Sequence, residues 1–107
     1  KVCQTVSVQG CSSTFELMSY RVSMPLRERN VALLEKVNAI LAKENLITLS
    51  TSKKTGGSDA ADVSEAGIPC LDNLGVQGGK SHTEHEFAWL DSLKSSAKQL
   101  ATIVSNL

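Results

Sequence analysis

Near the end of the chain, Leu90, Leu93, Ala97, Leu100, Val104 and Leu107 recur at alternating spacings of three and four. That spacing draws one continuous apolar seam along an α-helix. The segment is therefore predicted to be helical, with a long face that something else must cover. Leu93, Leu100 and Val104 are expected to be buried against a sheet or a partner chain. Asp91, or the residues just before it, favours the start, where negative charge complements the helix dipole.

A second helix is predicted over 28–44. Val31, Leu34, Val37 and Leu41 recur at helical spacing, and Leu33 and Ile40 widen the stripe. Asn45 suits a left-handed residue closing that helix. A third, shorter helix follows Ser58 as its cap and runs to Glu65 or Ala66, with Gly67 as its stop. Between them, Leu46–Leu49 and Ile68–Leu71 are short apolar runs that read as buried strands. The alternation of helix and strand over 28–107 argues for an α/β layer with parallel strands. Residues 2–8 and 14–24 alternate apolar and polar positions, with a bulge at Leu17-Met18, and Pro25 ends the second run. They read as a β-hairpin belonging to a neighbouring unit. Residues 72–88 hold three glycines and no sustained period, which reads as a long functional loop.

The bulk properties narrow the function. At 107 residues the chain suits one small domain with a modest core. Eleven basic residues balance eleven acidic ones, so nothing points to nucleic acid. No apolar run is long enough to span a bilayer, and the N-terminus is not signal-like. The chain begins at Lys1 rather than Met, which reads as a cut or processed end. Cys3, Cys11 and Cys70 are an odd number without zinc-ribbon spacing. They read as free thiols in a reducing, cytoplasmic compartment, with a Cys3–Cys11 bridge across a hairpin as the alternative.

The residues with chemical promise lie close together. In Gly56-Gly57-Ser58-Asp59 two glycines let backbone approach a ligand closely, and the helix behind them presents free N–H groups. That arrangement suits a carboxylate or phosphate, although a glycine pair before a helix is often only a tight turn. Asp72 and Asn73 follow a predicted buried strand, where ligand crevices lie in open α/β sheets; they could equally cap the turn. In Gly78-Gly79-Lys80-Ser81-His82-Thr83-Glu84-His85-Glu86, His82 offers a metal-ligating imidazole, although a lone loop histidine is usually a surface residue. His85 reads as solvent-facing. Arg21 alternates with apolar neighbours on the 14–24 run, where a solvated strand face is the plain reading.

Taken together, Gly56–Ala61, Gly67–Gly75 and Gly78–Glu86 resemble the C-terminal end of the catalytic domain of the di-zinc metallopeptidases. That family includes aminoacylases, glutamate carboxypeptidases, succinyl-diaminopimelate desuccinylases and dinuclear dipeptidases. The resemblance covers roughly residues 14–107 and is strongest from 56 to 86. It implies a partial three-layer zinc-exopeptidase-like α/β domain with mostly parallel strands over 26–107. Residues 1–25 would then be the end of a lid or dimerisation domain.

The resemblance also implies roles. The family pattern Gly-x-x-x-His-[Ser/Thr]-x-x-Glu makes His82 a zinc ligand. Gly56, Gly57 and Ser58 fall where backbone helps to bind a substrate carboxylate. Asp59, Thr83 and Glu86 would brace the site. An arginine of the lid domain grips the same carboxylate in many members, directly before a proline; here Met24 precedes Pro25 and Arg21 sits four residues upstream of it. Lys80 stands where a small residue is common. The family's His-x-Asp and Glu-Glu do not occur here, and no histidine precedes His82. No catalytic base is therefore assigned to this chain. The implied function is the C-terminal part of a two-zinc exopeptidase or amidohydrolase, whose metals activate water against the amide of a peptide or N-acyl amino acid bearing a free carboxylate. This chain would supply one zinc ligand and be inactive alone. The alternative is a stand-alone, non-catalytic domain that forms homo-oligomers through its exposed apolar faces.

Overall fold

Among the described residues, three helices carry nearly all the regular structure. The computed structural model describes residues 8–107. Helix α1 spans Glu28–Lys43, α2 spans Asp59–Glu65 and α3 spans Leu90–Asn106. Between α2 and α3, β1 (Gly78–Gly79) pairs antiparallel with β2 (Phe87–Ala88), with Gly78 opposite Ala88 and Gly79 opposite Phe87.

The helix ends follow from local chemistry. Glu28 in the first turn of α1 and Lys43 in the last complement its dipole. At its C-terminus Leu46 N–H donates to Leu41 O at 2.8 Å and Asn45 N–H to Ala42 O at 3.1 Å, with Asn45 left-handed at φ 55°. This pair of bonds is the Schellman closure. Helix α2 begins on Ser58, whose hydroxyl accepts from Ala60 N–H at 3.2 Å. It ends the same way as α1: Ile68 N–H donates to Val63 O, Gly67 N–H donates to Ser64 O, and Gly67 has φ 92°.

The core sits where α1 crosses α3. Val37 and Leu41 of α1 and Ile103 of α3 are buried, and Leu33, Leu46, Leu49 and Leu71 pack around them. Each fully buried side chain of this kind contributes about 1.5–3 kcal/mol. The face that α3 turns inward is Ser92, Ser96, Gln99 and Ile103. It is not the seam expected from the sequence: Leu90, Leu93, Leu100, Val104 and Leu107 are all exposed within this chain. The two stripes lie side by side on one helix. Periodicity alone ranks the more apolar stripe first, whereas α1 covers the other.

The predicted strands also need correction. Among the described residues, 14–24, 46–49 and 68–71 form no ladder, and the one strand pairing is antiparallel rather than parallel. The expected strand at 2–8 lies almost wholly outside the described residues, as does Cys3. A strand is defined by its neighbour, and here side chains take the neighbour's place. Asn38 Nδ2 donates to Leu49 O at 2.9 Å, and Leu49 N–H donates to Asn38 Oδ1 at 2.7 Å. Gln99 Nε2 donates to Ile47 O at 2.7 Å. Buried Asn30 accepts from Cys70 N–H at 3.1 Å while donating to Ser64 Oγ at 3.0 Å. These amides satisfy backbone groups that would otherwise need a ladder. The expected loop at 72–88 closes on itself through β1 and β2, continued by a bond from Trp89 N–H to Gln77 O at 2.9 Å. Buried Ser92 locks this hairpin onto α3, accepting from Gln77 N–H and donating to Trp89 O.

The radius of gyration is 20.0 Å and the extents are 67 × 36 × 18 Å. A compact domain of this length would have a radius near ~13 Å. The chain is thus a thin slab, and Phe15, Leu17, Met18, Tyr20 and Ile47 stay exposed, as the α3 seam does. No helix among the described residues is long and apolar enough to cross a membrane.

The core assignment has a direct consequence for stability. Leu41→Ala is expected to cost roughly 2–5 kcal/mol, whereas Leu100→Ala in the isolated chain should cost roughly 1 kcal/mol or less. Urea unfolding of the two variants measures the difference, and equal losses would contradict the crossing described here.

Candidate functional site

An open groove of about 840 Å3 runs between three non-helical segments and the flank of α1 and α2. Its walls are Val22–Leu26, Leu49–Gly56 and Cys70–Leu74, and its floor includes Asn30, Leu34 and Ala61. The volume falls in the range of small-ligand sites. The hydrogen bonds of α1 place these walls: Asn38 holds Leu49 and Asn30 holds Cys70. Arg27 pairs with Glu65, and Arg29 donates to Ser64 O, which fixes α2 beside the start of α1. Lys53 and Lys54 bring cationic groups to the groove and Asp72 an anionic one.

At the groove's lip the structure joins residues far apart in sequence. Arg21 Nη2 donates to Asp59 Oδ1 at 3.1 Å, across 38 positions. The arginine stem crosses Gly57 closely: a Cβ built there would lie 3.1 Å from both Arg21 Cδ and Nη1. The two glycines therefore do different work. Gly56 takes a positive φ of 117°, open to glycine and strained for other residues, while Gly57 leaves room for Arg21. Gly56 and Ser58 line the groove, and Ser58 also caps α2. Arg21, Gly56, Gly57, Ser58 and Asp59 are thus one local constellation. The ion pair is largely solvated, with side chains 64% and 92% exposed. Pairs of that kind contribute about 0–1 kcal/mol to stability.

The second predicted cluster stands elsewhere. His82 does not line the groove. It sits in the loop between β1 and β2, exposed, with φ 65°, and Lys80 nearby has φ 56°. Left-handed backbone at two non-glycine residues is strained and needs support from its surroundings. Thr83 gives that support. Its hydroxyl donates to Lys80 O at 2.7 Å and accepts from His85 N–H at 3.2 Å, and its carbonyl accepts from Glu86 N–H at 3.1 Å. His85 lies 3.6 Å from Glu84 in an exposed contact. Among the described residues no three His, Cys, Asp or Glu side chains gather as a metal site. His82 alone cannot hold zinc, which needs three or four donors, so these residues by themselves do not fit the metal group and no hydrolytic step follows from them.

Sequence reasoning missed Asn30 and Asn38, which position two walls of the groove. Each is one polar residue within or beside an apolar stripe, and that is the only signal they leave. Asp72 and Asn73 do line the groove, and Asp72 Oδ1 accepts from Asn73 N–H at 2.7 Å, a local turn contact. Cys11 and Cys70 carry free thiols.

If Gly57 exists to admit Arg21, Gly57→Ala should push the guanidinium off Asp59 while changing stability by less than about 1 kcal/mol. The Arg21 Nε–H resonance in 15N NMR reads this directly. A signal identical to wild type would show that the crossing does not form in solution.

No significant match to the chain is found among curated proteins or among solved structures. Residues 3–106 match the profile of Peptidase family M20/M25/M40. That span includes both the arginine–glycine constellation and the His82 loop, and it covers nearly the whole sequence, so the chain belongs to Peptidase family M20/M25/M40.

Proposed function

We propose that this chain is the carboxylate-seating part of a zinc-dependent exopeptidase or amidohydrolase, acting on peptides or N-acyl amino acids with a free carboxylate. One observation carries the reading: Arg21 is folded across 38 positions onto Asp59, its stem crossing Gly57, at the lip of a groove that Gly56 and Ser58 line. A guanidinium beside glycine backbone is well suited to a carboxylate, because Arg presents a planar fork of donors and glycine permits close approach. Membership of a peptidase family that is generally metal-dependent supports hydrolysis as the reaction class. His82 would contribute one zinc ligand, with Thr83 and Glu86 bracing its loop. The remaining ligands and the base would come from outside the residues of this chain, since no His-x-Asp or Glu-Glu occurs in it. In that setting the extended runs 46–49 and 68–71 would find strand neighbours in a larger, mostly parallel three-layer domain, and residues 1–25 would close a lid domain. The free thiols of Cys11 and Cys70 fit a reducing compartment, the cytoplasm.

The test uses the purified chain. It should hydrolyse no dipeptide or N-acetyl amino acid with or without zinc, and calorimetry should find only weak zinc binding that His82→Ala lowers further. Zinc-dependent turnover by wild type would refute the division of labour proposed here. Residual zinc binding that survives His82→Ala unchanged would remove His82 as the ligand.

A second reading is favoured by the exposed seam on α3. Leu90, Leu93, Ala97, Leu100, Val104 and Leu107 repeat as a two-residue-per-heptad stripe, the pattern of helix–helix association. On this reading the chain is a non-catalytic oligomerising domain. Multi-angle light scattering is expected to give a homodimer or larger species. A monomer mass at all concentrations up to the millimolar range would dismiss it.

A further inference from the structure

We infer that Asp59 is an internal stand-in for the ligand's carboxylate, occupying Arg21 until a carboxylate that engages the guanidinium better displaces it. The inference rests on the carboxylate-seating reading of the groove and adds a specificity-determining residue to it.

The geometry of the pair points this way. Asp59 meets the guanidinium through one bond only, from Nη2 to Oδ1 at 3.1 Å. A guanidinium can donate two parallel bonds to one carboxylate, and such forked pairs are stronger and more directional than single ones. The arm that Asp59 leaves unused, Nη1, lies over Gly57. A ligand carboxylate arriving along the groove would meet that arm and the glycine backbone together. Asp59 makes only the one bond, with its backbone held in the first turn of α2.

Exposure makes the exchange feasible. Both side chains are mostly solvated, so water screens the pair and separating it costs little. Charge makes the exchange competitive. Asp59 and an incoming carboxylate carry the same sign, and two such groups around one guanidinium repel each other. Lys53 and Lys54 on the groove wall draw an anion in, and Asp72 opposes it only in part. Asp59 therefore sets a threshold. Ligands able to use both arms of Arg21 pass it, while neutral ligands gain nothing from the site.

The chain itself can be tested by 15N NMR titration, following Gly57 N–H and Arg21 Nε–H. The probe is N-acetylglycine, and N-acetylglycinamide is its neutral counterpart. Asp59→Asn should tighten N-acetylglycine binding about two- to fivefold and leave N-acetylglycinamide unchanged. Asp59→Ser, which also suits the start of a helix, should behave the same way, and circular dichroism checks that both variants keep their helices. Equal or weaker binding of N-acetylglycine by both variants would overturn the inference, because Asp59 would then position Arg21 or play no part. Tightening of both probes alike would overturn it too, since the effect would not depend on the carboxylate. Arg21→Met separates the inference from the reading beneath it. If wild type binds N-acetylglycine and Arg21→Met binds it equally well, the carboxylate seat itself is wrong. If neither wild type nor Asp59→Asn binds the probe, both fall together.

Discussion

The side-chain amides of α1 hold this structure together. Asn38 completes the donor and acceptor of Leu49, and Asn30 completes Cys70 N–H while reaching Ser64 on α2. In most α/β layers a neighbouring strand would make such bonds. Here two asparagines, aided by Gln99 on α3, make them from helices. Polar groups left unpaired on burial cost more than most single contacts contribute, so the positions of the runs 46–49 and 68–71 depend on these few amides. The walls of the groove depend on them in turn.

That dependence explains how a thin slab can still present a defined site. The apolar core is small, essentially Val37, Leu41 and Ile103 with a collar of leucines. It fixes the crossing of α1 and α3 and little more. Helix α2 is tied to α1 by polar contacts instead, through Arg27, Arg29 and Asn30. Because α2 carries Ser58 and Asp59 at its start, the same contacts set the place where Arg21 can be received. The His82 loop has separate support. Ser92 pins its hairpin to α3, and Thr83 braces its two left-handed residues. The two halves of the proposed chemistry are thus positioned independently, one by α1 and the other by α3. This fits a site completed by residues beyond either half.

The broad apolar exposure has the same origin. A helix carrying two usable stripes can satisfy only one within a slab 18 Å thick. On α3, Ile103 and Ser92 turn towards the rest of the chain, and the more apolar seam is left outward. On the oligomerising reading proposed above, a second copy of the chain would cover this apolar surface.

Local chemistry alone determined much of this protein. The three helices, the Ser58 cap, the left-handed Asn45 and the Gly67 stop were all legible, because each is settled by residues within a turn or two of one another. The glycine pair and the His82 loop were also singled out from the sequence, the one for its close-approach geometry and the other for its imidazole. Tertiary structure decided what distance in sequence hides. It chose which stripe of α3 is buried, since that depends on what α1 presents to it. It left 14–24, 46–49 and 68–71 without ladders among the described residues, since a strand needs a neighbour and an amide from Asn30 or Asn38 can take the neighbour's place. It also joined Arg21 to Gly57 and Asp59, a contact between exposed polar residues with no periodicity to announce it. Hydrophobic patterning records which faces want burial; only the folded chain settles which of them obtain it, and which polar groups meet as a result.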